Sequence, residues 1–234
     1  RHGLICGATG SGKTKTLQII AEQLSLKGVP SLLMDVKGDL SGIAAPGTPT
    51  EKIEARHAKV GEPYTPQGAP VELLSLSKEP GARLRATVSE FGPVLLGRIL
   101  ELNDTQQSVL ALVFKYCDDN GLPLLDLKDL RRVLQFVTDE GKEAIRKQYG
   151  SVSGATVNII LRKLIEIEQQ GADEFFGERS FDVNDLLATR DGKGVVHIVR
   201  LTDIQDRPRL FSTFMLCLLA EIYNTFPEVG DPEK

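Results

Sequence analysis

Gly7-Ala8-Thr9-Gly10-Ser11-Gly12-Lys13-Thr14 is the stretch that decides how this chain is read. It has the spacing of a Walker A phosphate-binding loop, and each fixed position has a mechanical task. Gly7, Gly10 and Gly12 let the backbone curl into a nest with no Cβ in the way. The N–H groups of the nest and of the helix it opens, including that of Lys15, face phosphate oxygens, where the helix dipole also favours negative charge. Ala8, Thr9 and Ser11 contribute backbone to the same cradle. Lys13 reaches the β- and γ-phosphates, and the Thr14 hydroxyl is placed to ligate Mg²⁺. The pattern predicts binding of Mg²⁺ and a nucleoside triphosphate such as ATP.

The flanks agree with that prediction. Leu4-Ile5-Cys6 is a short apolar run suited to a buried strand. Thr14 to Lys27 places Leu17, Ile20, Ala21 and Leu24 at helical spacing, with Gly28 as the residue that ends the helix. Strand, glycine-rich loop and helix in succession are the context the motif requires.

With 234 residues, 41% of them hydrophobic, the chain can bury a substantial core. Its net charge of −4 gives no bulk attraction to nucleic acid or anionic membranes. Cys6, Cys117 and Cys217 show no paired spacing and read as buried free thiols of a reducing compartment. The most apolar helical stretch, Leu210 to Tyr223, is too short to span a bilayer and includes Glu221. These features predict a cytoplasmic protein without a membrane partner.

Further along, Pro30 to Val36 reads as a second strand, closing on a turn from Asp35 to Asp39. A loop rich in proline and glycine follows, broken by a short helix over Thr50 to Lys59. Val71 to Leu76 reads as a strand and Arg83 to Val88 as another nearer an edge. The pattern then turns helical, with candidates at Pro93–Leu102, Asp104–Asn120, Leu127–Thr138, Asp139–Tyr149, Gly154–Gln170 and Val183–Thr189. Gly194–Leu201 returns as a strand and Arg207–Phe226 as a helix. The fold expected is α/β with a mainly parallel sheet, and with an all-helical insertion. Residues 1–92 form the first part of the core, 93–190 the insertion and 191–234 the return to the core.

Several stretches together resemble the bacterial HerA-like ATPases of the YjgR type, within the HerA/FtsK superfamily. They are Gly3 to Thr14, Asp35-Val36-Lys37-Gly38-Asp39-Leu40-Ser41-Gly42, Glu90-Phe91-Gly92-Pro93, Leu102-Asn103-Asp104-Thr105-Gln106, Phe175-Phe176-Gly177-Glu178 and Pro227-Glu228-Val229-Gly230-Asp231. The resemblance implies a RecA-like P-loop NTPase core, Mg²⁺-dependent ATP hydrolysis, and homo-oligomers, hexameric in the wider superfamily, that move DNA or protein through a pore. It also implies an apolar strand ending in Asp-Glu, the Walker B element, after Pro227 to Asp231. No such strand stands in these residues, so the reading expects a fragment whose Walker B carboxylates lie beyond Lys234. Two other classes use the same loop: a small-molecule kinase, and a nucleotide-gated interaction protein without turnover.

Other candidates carry a structural reading beside the functional one. Asp35, at the carboxyl end of its strand, suits water positioning in catalysis and equally suits capping of its turn. Lys37 and Asp39 read as turn residues. Asn103, Asp104 and Thr105 read as a helix cap, with a sensor role for Gln106 in the first turn as the alternative, and Ser151, Ser153 and Thr156 read as another cap, with a second phosphate site as the alternative. His197 reads as a structural strand histidine. Arg200 is a candidate γ-phosphate sensor. A trans-acting arginine would come from Arg83, Arg85, Arg98, Arg162, Arg179, Arg190, Arg200, Arg207 or Arg209. Lys128, Arg131, Arg132, Lys142, Arg146 and Lys147 form the densest basic cluster, which reads as a solvated face balanced by acidic neighbours, with a DNA-contacting face as the alternative.

Overall fold

The computed structural model describes residues 2–77, 79–178 and 181–226, without the side chains of Arg209 and Leu210. Arg179 and the Pro227 to Asp231 stretch therefore lie outside the described residues. In chain order the elements are α1 (Lys13–Leu26), β1 (Ser31–Asp35), α2 (Glu51–Val60), β2 (Val71–Ser75), β3 (Ala82–Arg83), α3 (Val88–Ile99), α4 (Asp104–Asp119), α5 (Leu127–Phe136), α6 (Lys142–Gln148), α7 (Gly154–Gln169), α8 (Ala172–Phe175), β4 (Thr189–Arg190), β5 (Lys193–Gly194), β6 (Val196–Arg200) and α9 (Pro208–Thr225). Single 3₁₀ turns cover Ser41–Ala44 and Val183–Leu187.

Two compact units result. One comprises residues 1–75, 79–82 and 184–202, and the other residues 76–78, 83–183 and 203–234. The first is the α/β unit. Its sheet runs β1-β6-β2-β3, and β6 pairs in parallel with β1 on one side and β2 on the other. Val196 to Val199 are all buried, as expected of a central parallel strand covered on both faces. In register, Leu33, Ile198 and Leu73 lie side by side, and two residues later so do Asp35, Arg200 and Ser75. Because successive strand residues alternate between faces, these two rows share one face.

That face is the one α1 covers. Ala21 packs in one core with Leu33, Val196 and Ile198, and Leu17, Val71 and Leu73 pack against it. Two hydrogen bonds, one partly buried and one buried, set the direction of α1. Gln18 Nε2 donates to the carbonyl of Asp39, past the end of β1, at 2.9 Å. Ser25 Oγ donates to the carbonyl of Gly194, just before β6 begins, at 2.6 Å. The helix therefore runs antiparallel to the strands, with its N-terminus at the carboxyl edge of the sheet. Its end is as read from sequence: Gly28 takes φ 76°, and the Gly28 and Val29 N–H groups bond back to Ser25 and Leu24.

The second unit is helical. α3 packs on α4 and α9, and α7 on α4, α5 and α8. Leu96, Leu110, Leu130, Leu134, Ile160 and Leu164 are fully buried among these helices. α3 bends at Gly92 (φ 74°, ψ 166°), where the chain enters Pro93, so the helix expected from Pro93 is preceded by a capped turn from Val88.

Several expectations need correction, and one is the helix read over Val183–Thr189: Val183–Leu187 is a 3₁₀ turn and Thr189 opens β4. Leu4-Ile5-Cys6 forms no strand and is exposed, with Leu4 87% accessible. A strand needs a neighbour for its N–H and C=O groups, and among the described strands none lies beside these residues. Arg83 to Val88 is not a strand either; beyond Arg83 only Ala86 makes a bridge, to Phe176, and Val88 already starts α3. The α1 stripe is also rotated: its buried residues are Gln18, Ala21 and Ser25, while Ile20 and Leu24 are exposed.

Candidate nucleotide-binding site

The Gly7 to Thr14 loop opens α1, and its backbone takes forms that only glycine adopts without strain. Gly10 and Gly12 have φ of 80° and 95°, in the left-handed region. Gly7 is held by space instead: a Cβ there would come within 2.3 Å of Ser11 Oγ and 3.2 Å of Ser11 Cβ. The Ser11 N–H closes the turn onto the Ala8 carbonyl at 3.2 Å. Lys13 bends back over the loop, and its ammonium donates to the carbonyls of Gly7 and Ala8, each at 2.8 Å. Gly12, the N-cap residue, has no side chain with which to cap the helix. The first-turn N–H groups of Lys13, Thr14 and Lys15 thus have no intrahelical acceptor and stand at the positive end of a helix of 14 residues.

These residues fit a phosphate chain. Residues 2–11 are exposed, so the cradle is open to a ligand of any length. They fit Mg²⁺ in one way only. Among the described residues no group of three or more His, Cys, Asp or Glu side chains could hold a metal. An ion here would take the Thr14 hydroxyl, phosphate oxygens and water, the usual coordination of Mg²⁺ with nucleotides.

The sequence candidates separate cleanly. Asp35 is buried, 2% accessible, and both its oxygens accept backbone N–H bonds, from Gly38 at 2.7 Å and Leu40 at 3.1 Å. It holds the turn at the carboxyl edge that Gln18 ties to α1. Asn103 and Gln106 form a reciprocal capping box: the Asn103 side chain accepts from the Gln106 N–H at 3.0 Å, and the Gln106 side chain accepts from the Asn103 N–H at 3.2 Å. Ser153 stands at the N-cap of α7, but its side chain makes no capping bond, contrary to expectation.

His197 is 1% accessible, and among the described residues neither ring nitrogen has a hydrogen-bond partner; a Glu72 carboxylate oxygen lies 3.4 Å from Nδ1. It occupies the sheet face opposite α1, one residue out of step with Ile198. Burial lowers its pKa below the usual 6.5, against the pull of Glu72 and Asp185. Of the cysteines, Cys117 is buried as expected, whereas Cys6 is exposed and Cys217 half-buried.

Two of the candidate arginines share the loop's unit. Arg190 sits in the β4-β5 hairpin, ahead of the amino end of β6. Arg200 ends β6, at the carboxyl edge, 3.2 Å from Glu79. In the helical unit Arg83 pairs with Glu174, Arg131 with Glu168 and Arg146 with Glu143. The basic cluster is thus partly neutralised, with Lys128, Arg132, Lys142 and Lys147 left on the surface.

Sequence reading missed Gln18, Ser25, Glu79 and Thr202. Gln18 and Ser25 carried a signal: with Ala21 they repeat at helical spacing on α1, as polar members of a buried stripe. Glu79 and Thr202 gave none, being 123 residues apart and joined by a hydrogen bond only in the fold.

An α/β sheet with a glycine-dependent loop and helix N-terminus at its carboxyl edge defines a protein with a P-loop-like core. The chain belongs to the helicase HerA-like C-terminal family, whose model matches residues 1–234. Comparison with curated proteins gives no match. Membership places the chain among helicase-like, nucleotide-binding proteins of the ATPase type. Among the described residues no helix is long and apolar enough to cross a membrane.

Proposed function

We propose that this protein binds Mg²⁺-ATP through Gly7 to Lys15 and hydrolyses it as an oligomeric motor acting on DNA. The observation that carries the reading is the glycine-dependent loop closed by Lys13 at an uncapped helix N-terminus. Backbone N–H groups of the loop and of α1 bind the phosphates. Lys13, on leaving the Gly7 and Ala8 carbonyls, offsets charge on the transferring phosphoryl group, and Thr14 contributes its hydroxyl to the metal. Mg²⁺ held there would supply neutralisation of the charge that builds up on the phosphates. Hydrolysis is then in-line attack by water, assisted by position and electrostatics. Asp35 contributes by fixing the turn that Gln18 binds.

The motor part of the proposal rests on family membership. A net charge of −4 means that any DNA contact comes from a local basic surface and not from bulk charge. The test is steady-state phosphate release by the intact protein, with and without DNA, at two salt concentrations. DNA stimulation that falls steeply with salt is the expected result. Hydrolysis indifferent to DNA would remove DNA as the substrate and leave the ATPase.

A further inference from the structure

We propose that Arg200 reads the terminal phosphate of the bound nucleotide within its own chain, and that Glu79 and Thr202 hold it in place for that purpose. The proposal rests on the reading of the Gly7 to Thr14 loop as an ATP site.

Position is the first ground. Arg200 is in register with Asp35 and Ser75 and two residues beyond Ile198, so it lies on the face of the sheet that α1 covers. It is also the last residue of β6, and the N-terminus of α1 is at that same edge. Gln18, bonded to the Asp39 carbonyl, is five residues into the helix from Lys13, about 7.5 Å along its axis at 1.5 Å per residue. Ligands of open α/β sheets bind at this edge.

The second ground is how the side chain is held. Arg200 Nε lies 3.2 Å from Glu79 Oε2, and Nη1 donates to the Pro80 carbonyl at 3.4 Å. Thr202 Oγ1 donates to the other Glu79 oxygen. Glu79 is thus fixed from both sides, and it is the more buried partner, with 15% of its side chain accessible against 26% for Arg200. Among the described residues Nη2 makes no hydrogen bond, so the guanidinium, held at Nε and Nη1, keeps donors at Nη2 for an anion. The nearest carboxylate on the same row is Asp35, whose oxygens already accept from Gly38 and Leu40. It therefore competes little for the guanidinium.

The third ground is continuity with the loop. A Cβ on Gly38 would lie 3.2 Å from the Thr202 methyl, so the Asp35 turn rests against the residue that orients Glu79. The same turn is bonded to α1 through Gln18. Movement at the start of α1 and the setting of Arg200 are thereby linked through packed atoms of one unit.

The test compares ATP and ADP affinity, by titration with fluorescent analogues, and turnover, for wild type, Arg200→Ala, Arg200→Gln, Glu79→Gln and Lys13→Ala of the intact protein. A residue that touches only the terminal phosphate changes ATP binding and leaves ADP binding alone. Both Arg200 variants are expected to reduce the preference for ATP over ADP by about tenfold or more, the scale of one charge-assisted hydrogen bond, with ADP affinity within about twofold of wild type. Glu79→Gln is expected to shift the same ratio part of the way and to lower kcat more than it changes KM. An unchanged ratio in Arg200→Ala and Arg200→Gln, with binding abolished in Lys13→Ala, would overturn the proposal and leave the ATP site standing. Nucleotide binding unaffected by Lys13→Ala would overturn the ATP reading itself.

Discussion

Asp35, itself buried, ends β1 with both oxygens accepting backbone N–H groups, and this occupation decides what its loss should do. In Asp35→Asn one acceptor oxygen becomes an NH₂ that faces an N–H donor. The buried Leu40 or Gly38 N–H then loses its partner, which costs about 1–3 kcal/mol. Chemical denaturation should show that loss in the absence of nucleotide; unchanged stability would mean the turn does not depend on the carboxylate. His197 makes a pH-dependent contribution of known sign. Its pKa in the folded protein lies below the 6.5 of the unfolded chain, chiefly because burial disfavours the charged ring. The unfolded chain therefore binds more protons as pH falls through 6.5, and stability contributed by the neutral ring is lost in that direction. The denaturation midpoint should drop between pH 7.5 and 5.5 in wild type, and drop less in His197→Phe. Equal pH dependence in both proteins would assign the effect to other groups.

At the scale of elements, the sequence was most legible where a local rule acts alone. Asn103, read as part of a cap, caps α4 through its own side chain, and α4 and α7 run within a residue of their expected bounds. Glycine spacing likewise made the backbone shape of the Gly7 to Thr14 loop readable, because Gly10 and Gly12 take left-handed φ angles that depend on no distant contact. What failed depended on partners. Leu4 to Cys6 has the composition of a strand but no strand beside it, and Arg83 to Val88 alternates like a strand but hands its last residues to α3. The α1 stripe misled because apolar Ile20 and Leu24 face outward while Gln18 and Ser25, each bonded to a backbone carbonyl of the α/β unit, are buried. The exposed loop gives a direct probe of this element. Cys6 is exposed next to Gly7, whereas burial pushes the Cys117 thiol up to about 11. Maleimide should label Cys6 well before Cys117, and Mg²⁺-ATP should slow labelling of Cys6 in particular, as read by peptide mapping. Labelling of Cys6 that ignores saturating nucleotide would place the ligand elsewhere.

For the whole molecule, the account comes down to one loop and the unit that carries it. The parallel sheet, the antiparallel α1 and the turn at Asp35 together bring Lys13, Thr14 and Arg200 to a common edge. Family membership gives this edge its context, a helicase-like ATPase. Phosphate release from ATP by the intact protein, wild type against Lys13→Ala, tests the central claim most directly. The account predicts steady Mg²⁺-dependent turnover in the wild type and a fall of at least about a hundredfold in the variant, the scale of losing one preorganised charge-stabilising donor. Turnover that survives Lys13→Ala would contradict it.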